Sequence, residues 1–523
     1  MTDRGREWWK TGVIYQIYPR SFQDSDGDGV GDLAGIESRL DHLVDLGVDA
    51  VWISPFYPSP MADFGYDVSD YTGVDPLFGT LEDFERLIAA IHARGLKLLL
   101  DFVPSHSSDQ HPWFQASRSA RDDPKRDWYV WRDPAPDGGP PTNWIAEFGG
   151  STWDWDDATE QYYLHSFLPE QPTINWRNPA ARAAMLDAIR TWFDRGVDGF
   201  RVDAIEHAAP DPEKGDNPVD PDWDGGGGPA RAHLGAASKH QPEVFRVVDE
   251  MRRLAERYDP PRLLVGEAYG RLEEVVRYYG AEGLHGFQLP FNFLLIGAEW
   301  DPRVIAGLVE AYEAALPEGA WPNWVLGNHD RHRIASRAGR AQAGVAATLL
   351  LTLRGTPTIY QGDELGMENV EIPPDRVQDP WEKRVPGQGL NRDQVRTPLA
   401  WDGTAHGGFT TGAPWLPMDL RPAVTVEAQR GDPASMLNLH RRLLRLRRAE
   451  PALTLGDYRT ISVDDASFRF ARSHGSRRIG VALNLSDRPR PVDLNGATLL
   501  STTGDDALTG DLAPNEGRVV ALD

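Results

Sequence analysis

Gly196-Val-Asp-Gly-Phe-Arg-Val-Asp-Ala204 follows a run that opens at Asn178-Pro179 and carries apolar residues at Ile189, Trp192 and Phe193. Asn before Pro caps a helix, the apolar spacing gives it one buried face, and Gly196 stops it. Val197–Ala204 then reads as a buried strand. Side chains alternate along a strand, so Arg201 and Asp203 point to the same face. A guanidinium beside a carboxylate favours the ionised form. An ionised, positioned carboxylate suits nucleophilic chemistry at a sugar, and the same six residues suit an ordinary buried ion pair.

The unit of helix, glycine stop and short apolar strand recurs. Thr80 caps a helix with Glu82 and Asp83 in its first turn, Phe84, Leu87, Ile88 and Ile91 form its face, and Leu96–Val103 follows Gly95. Ile36, Leu40 and Leu43 lead through Gly47 to Val48–Ser54, and Phe245–Tyr258 leads to Leu263–Ala268. Further strands are expected at Val13–Tyr15, Gly286–Leu289, Val325–Asn328 and Thr358–Gln361, the last after the apolar helix Val345–Leu353. Eight such units predict an α/β fold, a closed (β/α)8 TIM barrel, whose functional residues gather at the C-terminal ends of its strands. Asp101, Asp203, Glu267 and Asp330 all fall at or just after strand ends.

Two regions break the repeat. Residues 104–176 replace a helix by a segment rich in Trp, Asp, Pro and Gly, long enough for a loop-rich inserted domain. Pro210–Gln241 is a Gly/Asp/Pro stretch without periodicity. After the Arg-rich helix Met436–Arg448, alternating segments such as Ser467–Ala471 and Arg478–Leu485 predict a small antiparallel β domain. The division expected is a barrel from 1–103 and 177–448, an insert at 104–176 and a C-terminal β domain at 449–523.

Composition narrows the function. A formal charge of -25 over 523 residues argues against nucleic acid or an anionic membrane surface as partner. Cysteine is absent, which removes disulfides, thiolate metal sites and a Cys nucleophile. Met1–Lys10 is polar, without the apolar core of a signal peptide, and no apolar run approaches the roughly 20 residues of a membrane span. A cytoplasmic protein without a membrane partner is expected; the oligomeric state is not readable. Eighteen Trp suit stacking on sugar rings, although the cluster Trp128, Trp131, Trp144, Trp153 and Trp155 suits packing at least as well.

Asp24-Ser-Asp26-Gly-Asp28-Gly-Val30-Gly-Asp32 sets acidic oxygens at alternate positions between glycines. Hard cations take oxygen ligands from tight loops of this kind, and the Val30 carbonyl can join the four carboxylates. The loop is similar to the start of an EF-hand but lacks its distal Glu. A structural Ca2+ (or Mg2+) is expected; a solvated acidic turn is the alternative. Taken singly, Asp101 with His106, Glu267, and Asn328-His329-Asp330 each have an ordinary explanation as strand-end or capping residues. His329 has no partner His at helical spacing to make a metal site.

The set is more specific than its members. Asp101-Phe-Val-Pro-Ser-His106, Gly199-Phe-Arg-Val-Asp203, Gly266-Glu267-Ala268 and Leu326-Gly-Asn-His-Asp330, with Gly47–Pro55, resemble the motifs of the α-amylase superfamily of glycoside hydrolases in order and over nearly the whole chain. Trp9–Phe22, the acidic loop and Asn391-Arg-Asp-Gln-Val-Arg-Thr-Pro398 look most like its α-glucosidase and oligo-1,6-glucosidase branch. The resemblance implies Asp203 as nucleophile, Glu267 as general acid/base and Asp330 as transition-state stabiliser. It implies that Asp101, His106, Arg201 and His329 contact the bound sugar or the nucleophile, and it implies no organic cofactor. The chemistry agrees if Arg201 keeps Asp203 ionised and a more apolar setting keeps Glu267 protonated.

Asp63-Phe-Gly-Tyr66 is similar to the branch's pocket-closing element, with Asp63 on hydroxyls of a terminal glucose and Tyr66 on its ring. Arg392 and Arg396 both match the arginine that completes the plug. The resemblance implies an exo-acting retaining α-glucosidase on short oligosaccharides. Ala204, where 1,6-preferring members tend to carry Val, points to α-1,4 links. Gln171-Pro-Thr-Ile departs from the branch at Thr173 and Ile174. Oligo-1,6-glucosidase, or glucosyl transfer or isomerisation of the sucrose or trehalose type, uses the same carboxylates and stays open.

Overall fold

The computed structural model describes residues 7–226, 228–280, 283–388, 391–504 and 510–523; residues 1–6 of the polar N-terminal stretch read above lie outside them. Eight parallel strands close into a barrel with every strand beside its chain neighbours. They are β1 Ile14–Ile17, β2 Ala50–Ile53, β3 Lys97–Phe102, β4 Gly199–Val202, β5 Leu263–Gly266, β6 Leu289–Asn292, β7 Asn323–Val325 and β8 Thr356–Tyr360.

Local chemistry sets the connecting helices. Thr80 and Asp83 form a reciprocal capping box at the start of Leu81–Ala93, which buries Phe84, Leu87, Ile88 and Ile91. Asn178 accepts from the Ala180 and Ala181 amides at the start of Pro179–Asp194. Two strands start away from their expected places. Gly286 and Phe287 donate to the Tyr279 and Tyr278 carbonyls, so this stretch folds on the preceding turn and β6 begins only at Leu289. β7 ends at Val325, and beyond it Asn328 bridges back to Arg331 in a tight turn.

The period of two sorts each strand. Ile14, Trp52, Leu99, Leu263, Val265, Leu289 and Phe291 fill the barrel interior, while Val51, Leu98, Leu100, Phe200, Val202 and Leu264 pack outward on the helices. The inward series continues past the apolar layers into charge: Asp101 lies two residues beyond Leu99, and Glu267 two beyond Val265. Asp101 and Arg201 are direct partners in the parallel register of β3 and β4.

Between β3 and β4 the chain forms helix Pro112–Ser119 and a three-stranded antiparallel sheet of Trp131–Arg132, Gln161–Leu164 and Trp153–Asp156. Trp131, Trp144 and Trp153 are buried there as packing. Beyond β4, up to Gln241, the described residues form only short 3-10 turns. The C-terminal part forms a five-stranded antiparallel sheet between Asp457 and Leu522. No helix among the described residues is long and apolar enough to cross a membrane.

Candidate active site

A narrow cavity of about 90 Å3 opens at the C-terminal end of the barrel, lined among others by Asp63, Tyr66, His106, Asp203, Glu267, Asp330 and Arg392. Behind its wall lies Arg201, fully buried on β4. Nη1 donates to Asp101 Oδ1 and to Asp203 Oδ1, both at 2.7 Å, and Nη2 donates to Glu267 Oε2. One planar guanidinium therefore orients three carboxyl groups from three adjacent strands, a geometry that a lysine cannot reproduce.

Asp203 and Glu267 are thus held by the two Nη atoms of one guanidinium. Burial pushes the Asp203 carboxyl well above its usual range, against the pull of Arg201, and Glu267 and Asp101 push it further. The net direction is opposite to the expectation that Arg201 keeps Asp203 ionised. The Ala204 amide, on a residue in the left-handed region (φ 33°), donates to Glu267 Oε2 at 3.1 Å.

Asp330 is held the other way. Arg396 Nη2 donates to Oδ1 at 2.6 Å, Arg392 Nη1 approaches it at 3.4 Å, and the Asn328 side chain accepts from its amide. Burial raises its carboxyl, but His329, Arg396 and Arg392 more than cancel this and hold it well below the ordinary range. The Gln16 amide faces His329 Nδ1 at 2.8 Å, which leaves Nε2 as the protonated nitrogen, 2.7 Å from the Tyr66 hydroxyl. Tyr66 lies parallel to His329 and donates to Asp101 Oδ2 at 3.1 Å.

Arg392 and Asp63 meet as an ion pair in the cavity wall. Arg392 Nη2 donates to Asp63 Oδ1 at 2.8 Å and to Asp379 Oδ1 at 2.7 Å, and the guanidinium lies over the rings of Phe148 and Trp381. Gln171 bridges Asp63 and His106. Burial lowers the His106 imidazole to about 4, so it is neutral at pH 7.

The structure separates the expected sugar contacts into two layers. Asp63, Tyr66, His106 and Arg392 line the cavity, whereas Asp101, Arg201, His329 and Arg396 do not and stand behind its wall. Asp101 is consumed by Trp52, Tyr66 and Arg201; its carboxyl rises to about 6 through burial. Arg396 bonds to Asp330 and the His329 carbonyl. Of the two matching arginines, Arg392 forms the plug.

Several wall residues were not singled out from sequence: Glu147, Phe148, Phe167, Glu206, His207, Lys239, Tyr269, Arg331 and Trp381. Glu206 and His207 follow the nucleophile motif directly, so adjacency was the one available signal.

In the first loop, carboxylate oxygens of Asp24, Asp26 and Asp28 lie within 4.8 Å of one another. Asp24 Oδ1 accepts from the Asp26 and Gly27 amides and Oδ2 from Gly29 and Thr410, which fixes the loop. Gly29 (φ 96°) needs no Cβ there, since one would meet the Ala413 carbonyl at 1.9 Å. Asp32 departs from the expected ligand set: it caps helix Leu33–Ser38 through the Gly35 amide and accepts from Ser25. Val30 enters through its amide, which donates to Asp28 Oδ1. Three hard oxygen donors at this spacing fit a cation of the Ca2+ or Mg2+ type.

Comparison with known proteins agrees with the geometry. The family described as "Alpha amylase, catalytic domain" matches residues 16–456. A "Probable alpha-glucosidase" of Rhizobium meliloti (strain 1021) is 43% identical over 509 residues, covering 94% of this chain and 91% of its own. An "Oligo-1,6-glucosidase" of Heyndrickxia coagulans is 37% identical, covering 99% and 100%. The crystal structure of an alpha-glucosyl transfer enzyme, XgtA, superposes with a TM-score of 0.94 at 40% identity, covering 99% of each chain.

Proposed function

The chain belongs to the α-amylase family of glycoside hydrolases, and on that premise we propose that it is an exo-acting, retaining α-glucosidase releasing terminal non-reducing glucose from short oligosaccharides. The observation that carries this reading is the Asp63–Arg392 ion pair across the end of the cavity. A sugar chain cannot run through a cavity closed there, so the glucose ring at the closed end is terminal.

In this mechanism Asp203 attacks the anomeric carbon while Glu267 gives a proton to the glycosidic oxygen; water, deprotonated by Glu267, then cleaves the glycosyl–Asp203 ester. Retention is supported by a common anchor: the two Nη atoms of one guanidinium hold the two carboxyls, which suits the short spacing of about 5–5.5 Å that retention uses. Asp330, held as an anion, stabilises positive charge developing on the ring.

Ala204 beside the nucleophile supports a preference for α-1,4 links. Initial rates of purified protein on maltose and isomaltose test it: maltose is expected to be faster, and a faster isomaltose reaction reverses the linkage. Internal fragments released from starch overturn the exo reading. Transfer of glucose to a second sugar uses the same residues, and its support is the 40% identity to an alpha-glucosyl transfer enzyme. Product analysis on concentrated maltose separates the two.

Asp24, Asp26 and Asp28 are proposed as ligands of a structural divalent cation. Saturating Ca2+ at about 100 times its Kd stabilises the fold by about 2.7 kcal/mol. Chelation is expected to lower Tm by several degrees without changing KM; an unchanged Tm removes the cation.

A further inference from the structure

The wall of the cavity opposite the plug differs in charge from the rest of the molecule. Arg231, Lys239 and Arg331, with Tyr269, line both the narrow cavity and a larger one of about 950 Å3 outside it. The outer cavity also carries Lys214, Arg271 and Arg277, against the carboxylates of Asp220 and Glu274 only. Six cations thus face two anions in a chain whose formal charge is -25.

Partners absorb only part of this charge. Lys239 pairs with Glu147, and Arg271 with Glu273 and Glu274. Among the described residues Lys214, Arg231, Arg277 and Arg331 form no carboxylate ion pair: Lys214 donates to the Gln241 amide oxygen, Arg277 lies over Phe245 and Arg331 over Tyr269. The inner wall beside them holds two further orphans. Glu206 Oε2 and His207 Nδ1, on residues 2% and 4% exposed, have no hydrogen-bond partner. Groups left unpaired at such burial are those a ligand completes. Burial pushes the Glu206 carboxyl up to about 8 despite Lys239, so at neutral pH it is a donor that does not repel an anion.

We propose that the leaving or accepting group beyond the scissile bond carries an anionic substituent, a carboxylate or a phosphate, that docks among Arg231, Lys239 and Arg331. The inference rests on the α-glucosidase reading and names the substrate class of its outer side. An uncharged sugar gains little from Arg231 and Arg331, which hold no carboxylate among the described residues, or from Lys239, whose one carboxylate is Glu147, whereas an anion there forms charge-assisted hydrogen bonds in a partly enclosed site.

Matched substrates test it: α-glucosylglycerol against α-glucosylglycerate for the carboxylate, and trehalose against trehalose 6-phosphate for the phosphate. The expected result is a kcat/KM on the order of tenfold higher for the anionic member of at least one pair. The pair that responds identifies the source of the charge. The preference should shrink towards unity in Arg231→Gln/Arg331→Gln and in 0.5 M salt, with the change mainly in KM. Equal or better cleavage of the neutral members, or a preference indifferent to both the substitutions and salt, overturns the proposal and leaves the glucosidase reading standing. If maltose and p-nitrophenyl α-glucoside are also untouched, the glucosidase reading fails first and this one with it.

Discussion

The closed end of the cavity and its outer wall are both lined by charged side chains, yet they treat charge in opposite ways. At the closed end each carboxylate meets a guanidinium: Asp63 and Asp379 meet Arg392, Asp330 meets Arg396, and Asp101, Asp203 and Glu267 meet Arg201. At the outer wall, among the described residues, Arg231 and Arg331 form no carboxylate ion pair, and Glu206 and His207 keep buried atoms without partners. Carboxylates held by guanidiniums fix a shape before substrate arrives, although Arg201 Nε and Arg396 Nη1 also lack partners; cations left without carboxylates wait for atoms from outside. The first arrangement suits a constant glucose ring, the second a variable group beyond it.

Substitutions should expose that contrast, and the largest effect belongs to the closed network. Asp203→Asn removes the nucleophile and is expected to lower kcat by about 10^4-fold or more with the fold intact, checked by single-turnover kinetics and Tm. Residual activity within tenfold of the parent would move the nucleophile elsewhere. Next, Asp63→Ala strips Arg392 of one partner and the glucose of an acceptor. A fall in kcat/KM on maltose on the order of 10^2-fold is expected. Arg392 keeps Asp379, so the Tm change should be small.

Glu206→Gln sits at the other extreme. Its effect on a neutral disaccharide should stay within about threefold, because no protein contact of Oε2 is lost. The clearer signal is in pH. Glu206 rises from 4.5 to about 8 on folding, so between those values the native chain binds the proton and the unfolded chain has released it. Stability therefore falls as pH rises through that window, by up to about 1.4 kcal/mol per unit. Glu206→Gln should flatten the decline of Tm between pH 5 and pH 8; an identical slope in the variant removes Glu206 as its source.

The same contrast separates what was legible in the sequence from what was not. The strands of the barrel were legible because each is a short apolar run behind a glycine stop, and Asp101, Asp203, Glu267 and Asp330 because they end or follow such runs. Sequence could not choose between Arg392 and Arg396, four residues apart on one turn; the choice depends on which guanidinium faces Asp63 across a separation of 329 residues. Trp381 escaped notice because nothing local distinguishes an aromatic that walls a cavity from one in a core. Lys239 and Arg231 lie in Pro210–Gln241, where short turns leave no periodicity to read. The upward push of burial on Asp203 was not legible because alternation reports which face a carboxylate takes, not how completely it is desolvated.

Ala204 has a consequence for any attempt to redirect the linkage preference. Its left-handed backbone turns the amide onto Glu267. A β-branched residue resists that conformation more than alanine does, and glycine adopts it freely. A swap at this position therefore changes two things at once: the room beside the nucleophile and the tension that aims the acid. Selection for a new bond here would be selection on strain as much as on size, and variants that gain selectivity should surrender turnover until a neighbour relaxes the turn.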